Sequence, residues 1–252
     1  MTHEERVELA RELTAALLRR HGEEAIVAVG VHGSVARGDD GDESDLDLAV
    51  ITARPEVEVP DRFLRHRGTV VDLGAIAADA YLEEAGHIGP AWPLAADQYV
   101  NHLALHDPGE FFHKLRHVHE AAVEQSPPAA FQAAAGYDLV QLVSWEGKAR
   151  DAELAGDLAV ASLAMKEAAV LAMLVVGLHT RTAYRNLAHA VRATAVTEAV
   201  GPGFPAAYRR LLDPTVEPAG QVLALGRVLE ALLDLARREG IPFETDDLDG
   251  FL

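Results

Sequence analysis

Residues 31–50 read Val-His-Gly-Ser-Val-Ala-Arg-Gly-Asp-Asp-Gly-Asp-Glu-Ser-Asp-Leu-Asp-Leu-Ala-Val, and they hold the residues best suited to chemistry. Gly33 permits the close backbone approach that a phosphate cradle needs, and Ser34 adds an N–H and a hydroxyl able to meet β- or γ-phosphate oxygens. Arg37 follows one turn later. Asp45 and Asp47 then bracket Leu46, so on an extended strand both carboxylates face the same way. Asp72 is a lone acid among Val70, Val71 and Leu73. A buried carboxylate needs a partner, and a cation is one that two neighbouring acids could share with it. Nucleotidyl transfer places a hydroxyl in line with an α-phosphorus and expels pyrophosphate, building charge on oxygens that divalent cations stabilise. Mg²⁺ takes one or two carboxylates plus substrate phosphates. Asp45, Asp47 and Asp72 are therefore the expected metal ligands, and Gly33, Ser34 and Arg37 the expected nucleotide-binding residues.

These residues need strands and turns to hold them. Leu9, Leu13 and Leu17 at helical spacing, closed by Gly22, predict a first amphipathic helix over 3–21. Ala25 to Val31 is a short apolar run and predicts a buried strand that feeds the Gly33-Ser34 turn. A polar loop over 38–44 precedes a strand at 45–51. Residues 52–68 read as a long loop carrying the basic cluster Arg62, Arg65, His66 and Arg67, and a strand follows at 69–76. A helix is expected over 77–85, a turn region over 86–93, and a short strand over 100–105. Helices are expected over 109–124, 128–155, 158–180, 186–200, 205–212 and 218–239, separated by Pro and Gly signals. The fold class is thus an α/β N-terminal domain, 1–126, followed by an all-α helical domain, 127–252.

Composition narrows the partners. With 22 basic and 40 acidic residues the net charge is −18, which repels a nucleic-acid backbone and suits a cationic small molecule. The chain has no cysteine, which excludes disulfides and thiolate metal sites. The N-terminus carries no apolar signal core, so a cytoplasmic location is expected. Leu158 to Leu178 is the most membrane-like stretch, but Lys166 and Glu167 interrupt it, and a buried bundle helix is expected in place of a membrane partner.

The pattern Gly33-Ser34, Arg37, Ser44-Asp45-Leu46-Asp47 and Asp72 resembles the nucleotidyltransferase superfamily that includes DNA polymerase beta. More narrowly, the chain resembles the kanamycin nucleotidyltransferases, the aminoglycoside 4'-O-nucleotidyltransferases. That likeness runs through 1–6, Val29 to Arg37, Trp92-Pro93-Leu94, Gly147-Lys148, Gly177-Leu178-His179 and 197–200. It implies a nucleotidyltransferase domain with a mixed sheet and flanking helices, a helical bundle domain, and a homodimer with active sites at the subunit interface. It also implies Mg²⁺, an NTP co-substrate, ATP first, and transfer of NMP to an aminoglycoside hydroxyl. By position Lys148 matches the family's phosphate-contacting lysine.

One position departs from the family. Its proposed general base, a glutamate four residues before that lysine, is Ser144 here, and a serine hydroxyl accepts protons poorly near neutral pH. Glu146 is the nearest acid, yet it points about 200° around a helix from Ser144, whereas Tyr137, Gln141, Ser144 and Lys148 share a face. The base is therefore Glu146 after a local shift near Gly147, or else Asp72, a metal-activated water or a carboxylate elsewhere. The acceptor is therefore expected to be an aminoglycoside, another antibiotic or a metabolite hydroxyl. A decayed nucleotide-binding or antitoxin-like protein is the reading from a different class. His113, His117 and His119 share one predicted helix without an evident further ligand for Zn²⁺. Arg185 and His189 give only a weak likeness to helical RNase toxins.

Overall fold

The computed structural model describes residues 1–245; the last residues of the expected helical domain, 246–252, lie outside the described part. The chain forms two compact units. The first comprises Met1–His87 and Ala95–Gln125, and the second Ile88–Leu94 together with the described residues from Ser126 onward.

In the first unit, α1 (His3–His21) starts at a capping box in which Glu5 N donates to Thr2 Oγ1 and Thr2 N donates to the Glu5 carboxylate. Arg19, Arg20 and His21 fill its last turn, and Gly22 ends it. β1 (Ile26–His32) runs directly into a single-turn helix, α2 (Gly33–Arg37), where the sequence suggested only a turn. β2 (Leu46–Thr52), β3 (Arg62–His66) and β4 (Thr69–Ala77) follow, then α3 (Ala78–Ala85). After a short α4 (Trp92–Ala95), of which all but Ala95 belongs to the second unit, the first unit resumes with α5 (Asp97–Val100), β5 (Leu103–His106) and α6 (Phe111–Gln125).

The five strands form one mixed sheet in the order β3-β4-β2-β1-β5, parallel between β2 and β4 and antiparallel elsewhere. Alternation divides its faces. Val29, Val31, Leu46, Leu48, Val50, Val71 and Leu73 pack with Val7, Leu9 and Ala10 of α1. The opposite face sets Ala28, Ala49 and Ile51 against Tyr81 and Ala85 of α3 and Phe111, Phe112 and Leu115 of α6. That second face also carries His32, Asp47 and Asp72, each opposite a sheet partner, and there the helical cover stops short of the exposed Asp72.

The basic cluster corrects the expected loop. Arg62, Arg65 and His66 lie on β3, the sheet's edge, and Arg67-Gly68 forms the tight hairpin turn to β4 with φ values of 48° and 89°. All five β3 residues are exposed, so no apolar alternation marked the strand. Charged side chains on such an edge also discourage pairing with another chain.

The second unit is helical: α7 (Pro128–Leu154), α8 (Leu158–Thr180), α9 (Leu187–Thr194), α10 (Phe204–Leu212) and α11 (Pro218–Glu239). α8 is long and apolar enough to cross a bilayer by length and composition alone. Here it packs along α7 and against α10 and α11, with Lys166 and Glu167 turned out to solvent. Gly177 lets α8 meet Pro93 and Tyr184, since a Cβ there would stand 2.6 Å from the Pro93 ring. α9 ends at Thr194, short of the expected 200. Its cap is Asn186, whose side chain accepts from His189 N, while Arg185 N donates to His189 Nδ1. The Arg185 to His189 segment is thereby accounted for as a helix start.

Candidate active site

A single row of residues crosses the sheet at the open end of its second face. Backbone register sets His32 of β1 beside Asp47 of β2, Asp47 beside Asp72 of β4, and Asp72 beside Phe63 of β3. Paired residues point to the same side, so these four side chains share one face. Asp45 lies two residues before Asp47 and joins the same side by alternation. Asp45 and Asp72 are exposed and Asp47 is half-buried. Phe63 is 75% exposed.

The electrostatics of the row are those of crowded acids. Asp47 is pushed up to about 6, chiefly by burial and then by the neighbouring Asp45 and Asp72, with Arg37 pulling the other way. Burial lowers the pKa of His32, against the influence of Asp72, Asp97 and Asp45. The His32 imidazole stands at one end of the acid row. His102 lies beyond it with ring centroids 6.3 Å apart, stacked on Phe112 and pushed down to about 3 mainly by burial.

Gly33 begins α2 with φ of 69°, a conformation that side chains rarely adopt. A Cβ at this position would run into Asp47 Oδ2. The Gly-Ser pair is thus pressed against the acid row as well as curved for a phosphate. Ser34 is half-buried beside it.

Arg37 is not an idle cation. Its guanidinium ion-pairs with Asp97 on α5, and its Nε also donates to Asp39 Oδ1 at 3.2 Å. Asp97 in turn accepts from Asn101 Nδ2 at 2.7 Å. A guanidinium this buried needs a carboxylate nearby, and Asp97 supplies it. Nothing in the local sequence around Arg37 announces that partner. His32 escaped notice for a related reason, because its place in the row depends on strand register.

The donors suit Mg²⁺ in kind, being hard carboxylate oxygens. Asp47 is held among like charges that a divalent cation would offset, which is the physical fit of the site to such an ion. Among the described residues no three His, Asp or Glu side chains already close around a metal position. The acids offer one open face, leaving the remaining positions to substrate phosphates and water. His113 and His117 pair ring to ring at 4.4 Å on α6, again without a third ligand among the described residues.

Ser144, Glu146 and Lys148 belong to α7 in the second unit. Ser144 and Lys148 are exposed, and Lys148 Nζ sits 4.0 Å over the Trp145 ring. Glu146 lies elsewhere on the helix. Its side chain is 13% exposed, with one oxygen 4.0 Å from Arg150 and the other 3.9 Å from where a Cβ of Gly226 on α11 would stand. The structure therefore does not bring Glu146 onto the face that carries Lys148, as the angular spacing of the helix already suggested.

Known proteins give this geometry a context. Residues 10–89 match the model of the nucleotidyltransferase domain. Over 233 residues the chain is 25% identical to an aminoglycoside nucleotidyltransferase (4') of Staphylococcus aureus, covering 92% of this chain and 87% of that protein. The aminoglycoside nucleotidyltransferase (4') of a Bacillus species matches with the same identity and coverage. Among solved structures, a nucleotidyltransferase-like protein from Exiguobacterium sibiricum shares the fold with a TM-score of 0.55 and 14% identity, over 91% of this chain and 76% of that one. The first unit accordingly carries a nucleotidyltransferase domain, and the protein is a nucleotidyltransferase.

Proposed function

We propose that the protein transfers a nucleoside monophosphate from an Mg²⁺-bound NTP, ATP first, to a hydroxyl of an aminoglycoside. The observation that carries this reading is the side-by-side register of Asp47 and Asp72, with Asp45 on the same face and Gly33 pressed against Asp47. The aminoglycoside assignment rests on the relatives' activity and on the net charge of −18, which favours a polycationic acceptor over a polynucleotide.

Asp45 and Asp47 hold the metal, with Asp72 beside them. When bound, the ion neutralises triphosphate charge and stabilises the leaving pyrophosphate. Gly33 and Ser34 offer backbone N–H groups and a hydroxyl to the triphosphate. Arg37, steadied by Asp97, directs positive charge toward it. By resemblance alone, Lys148 is assigned a further phosphate contact. The acceptor oxygen attacks the α-phosphorus, the bond to the bridging oxygen of pyrophosphate breaks, and the hydroxyl proton must leave. Asp72 takes that proton in this proposal, because its carboxylate is exposed beside Asp47 and the family's base position is Ser144. Glu146 is set aside as the base since it faces α11. A homodimer completes the proposal, by resemblance.

Phe63 favours a second acceptor class. An exposed aromatic directly opposite Asp72 suits a hydroxyl compound with an apolar face better than a purely cationic one. Incubation with Mg²⁺, each NTP, and a panel of aminoglycosides and lincosamides, followed by mass spectrometry, separates the cases. A gain of one NMP on an aminoglycoside supports the first reading, and a gain on a lincosamide the second. Nucleotide binding with no modified product in any panel member refutes both.

A further inference from the structure

Outside the acid row, the strongest polar cluster of the first unit is built around Arg6. It lies on α1, a surface helix by pattern, yet it is only 1% exposed. Its guanidinium spends its donors on one short segment. Nη1 donates to Asp40 Oδ2 at 2.8 Å, Nη2 to the Asp42 carbonyl at 2.8 Å, and Nε to the Ser44 carbonyl at 3.0 Å. Thr69 Oγ1, at the start of β4, donates to the same Ser44 carbonyl at 3.1 Å. His3 Nδ1 meets the other Asp40 oxygen at 2.7 Å, and Gly41 N donates to Ser44 Oγ at 2.9 Å.

The segment so gripped is the connection between α2, which carries Ser34 and Arg37, and β2, which carries Asp47. Ser44 directly precedes Asp45. A polar loop of this length, rich in Gly and Asp, has little intrinsic order, and fixing each residue costs about 1–2 kcal/mol of conformational entropy. The planar fork of an arginine can restrain three acceptors at once, which a lysine cannot. Two backbone carbonyls and one carboxylate are held by a side chain that touches no substrate position of the proposed site.

We infer that Arg6 is a positioning residue for the metal-binding acids: by clamping Asp40, Asp42 and Ser44 it fixes where Asp45 enters β2 beside Asp47. The inference rests on the proposed nucleotidyl-transfer reading. A plain structural role, burial of an Arg6–Asp40 pair, makes a different prediction. It lowers stability when broken but leaves metal affinity untouched.

The probe is Mn²⁺ binding to the full-length protein, followed by the loss of the free-ion electron paramagnetic resonance signal beyond that caused by a non-hydrolysable ATP analogue alone. The reading itself is tested first. Wild-type protein binds Mn²⁺ and Asp45→Asn weakens that binding; failure here removes the reading and is distinct from failure of the clamp. Arg6→Lys then keeps the charge and loses the fork, and it weakens Mn²⁺ binding by about tenfold, the low end for residues that orient metal ligands. Hydrogen exchange over 39–46 quickens in the same variant, and KM for the acceptor is unchanged. Mn²⁺ affinity within twofold of wild type in a folded Arg6→Lys protein overturns the inference, whatever happens to Tm. Should Arg6→Lys not fold, a variant of the carboxylate that Arg6 holds decides. Asp40→Asn, read in its place, weakens the grip of Arg6 on the loop while keeping the shape of its partner, and Mn²⁺ affinity within twofold of wild type in that folded variant has the same consequence. An unchanged affinity in Thr69→Val, which keeps every Arg6 bond, is what the clamp expects.

Discussion

Arg37 and Asp97 are ion-paired across 60 residues of chain, with side chains only 10% and 11% exposed. The pair ties the end of α2 to α5, so the cation expected to face a triphosphate is aimed by a residue from a different part of the unit. Breaking a pair this buried leaves the remaining charge poorly compensated, since Asp39 is a more exposed partner at 41%. Asp97→Ala therefore destabilises the protein by about 3 kcal/mol in urea denaturation, the low end for one partner removed from a buried pair. In steady-state kinetics it raises KM for the NTP and leaves KM for the acceptor in place. A variant with wild-type stability would mean that the pair contributes nothing measurable.

The acid row opposes folding when no cation is bound. Asp47 is raised to about 6 by burial and by Asp45 and Asp72, so near neutral pH its ionisation costs the folded state free energy. Asp47→Asn removes that cost. In EDTA at pH 8 the variant melts at a higher temperature than wild type, while Mg²⁺ no longer raises its Tm and nucleotidyl transfer is lost. Differential scanning fluorimetry with and without Mg²⁺ reads all but the last, and pyrophosphate release reads that. Wild-type release of pyrophosphate from the variant would remove Asp47 from the metal assignment.

Gly33 carries two constraints at once, a φ of 69° and a Cβ position occupied by Asp47 Oδ2. Gly33→Ala is thus strained by about 1–3 kcal/mol and must push Asp47 aside. A displacement of about 1 Å at a reacting centre is enough to cost 100-fold in rate. Turnover at saturating substrate should fall by about that factor. Gly38→Ala serves as the comparison: its φ is 70° but nothing stands near its Cβ, so it shares the backbone strain and keeps the activity.

Much of this was readable from residue order, for reasons that differ by element. The 3.6-residue spacing of Leu9, Leu13 and Leu17 and the Thr2–Glu5 cap belong to local physics, and α1 runs over the expected 3–21. Asp72, a lone acid in an apolar strand, suggested a buried carboxylate; β4 does lie beside β2 and sets Asp72 next to Asp47, but on the open end of the face, where Asp72 is exposed and burial does not demand a partner. β3 was unreadable because its five residues all face solvent and carry no alternation. Arg6 looked like one more charge on an amphipathic helix, and its inward turn depends on acceptors 34 to 38 residues away. His32 and Asp97 were missed likewise, since strand register and a long-range ion pair have no signature within a window of sequence.

Asp138 gives the last prediction, because burial can be tested there without metal chemistry. It lies on α7, is 2% exposed, and its Oδ2 has no hydrogen-bond partner among the described residues. Burial alone raises its pKa from 3.8 to about 7. The folded state therefore keeps a proton that the unfolded chain has released, and stability contributed at this position falls as pH rises from about 4 to about 7. Above that window the loss is constant at a few kcal/mol, since each tenfold difference in proton affinity between folded and unfolded chain is worth about 1.4 kcal/mol. Asp138→Asn carries a similar unpaired polar group at every pH but no charge to bury. Its unfolding free energy should sit close to wild type at pH 4 and exceed it increasingly toward pH 8. Parallel stability curves for the two proteins across that range would show that Asp138 ionises in the folded state without cost.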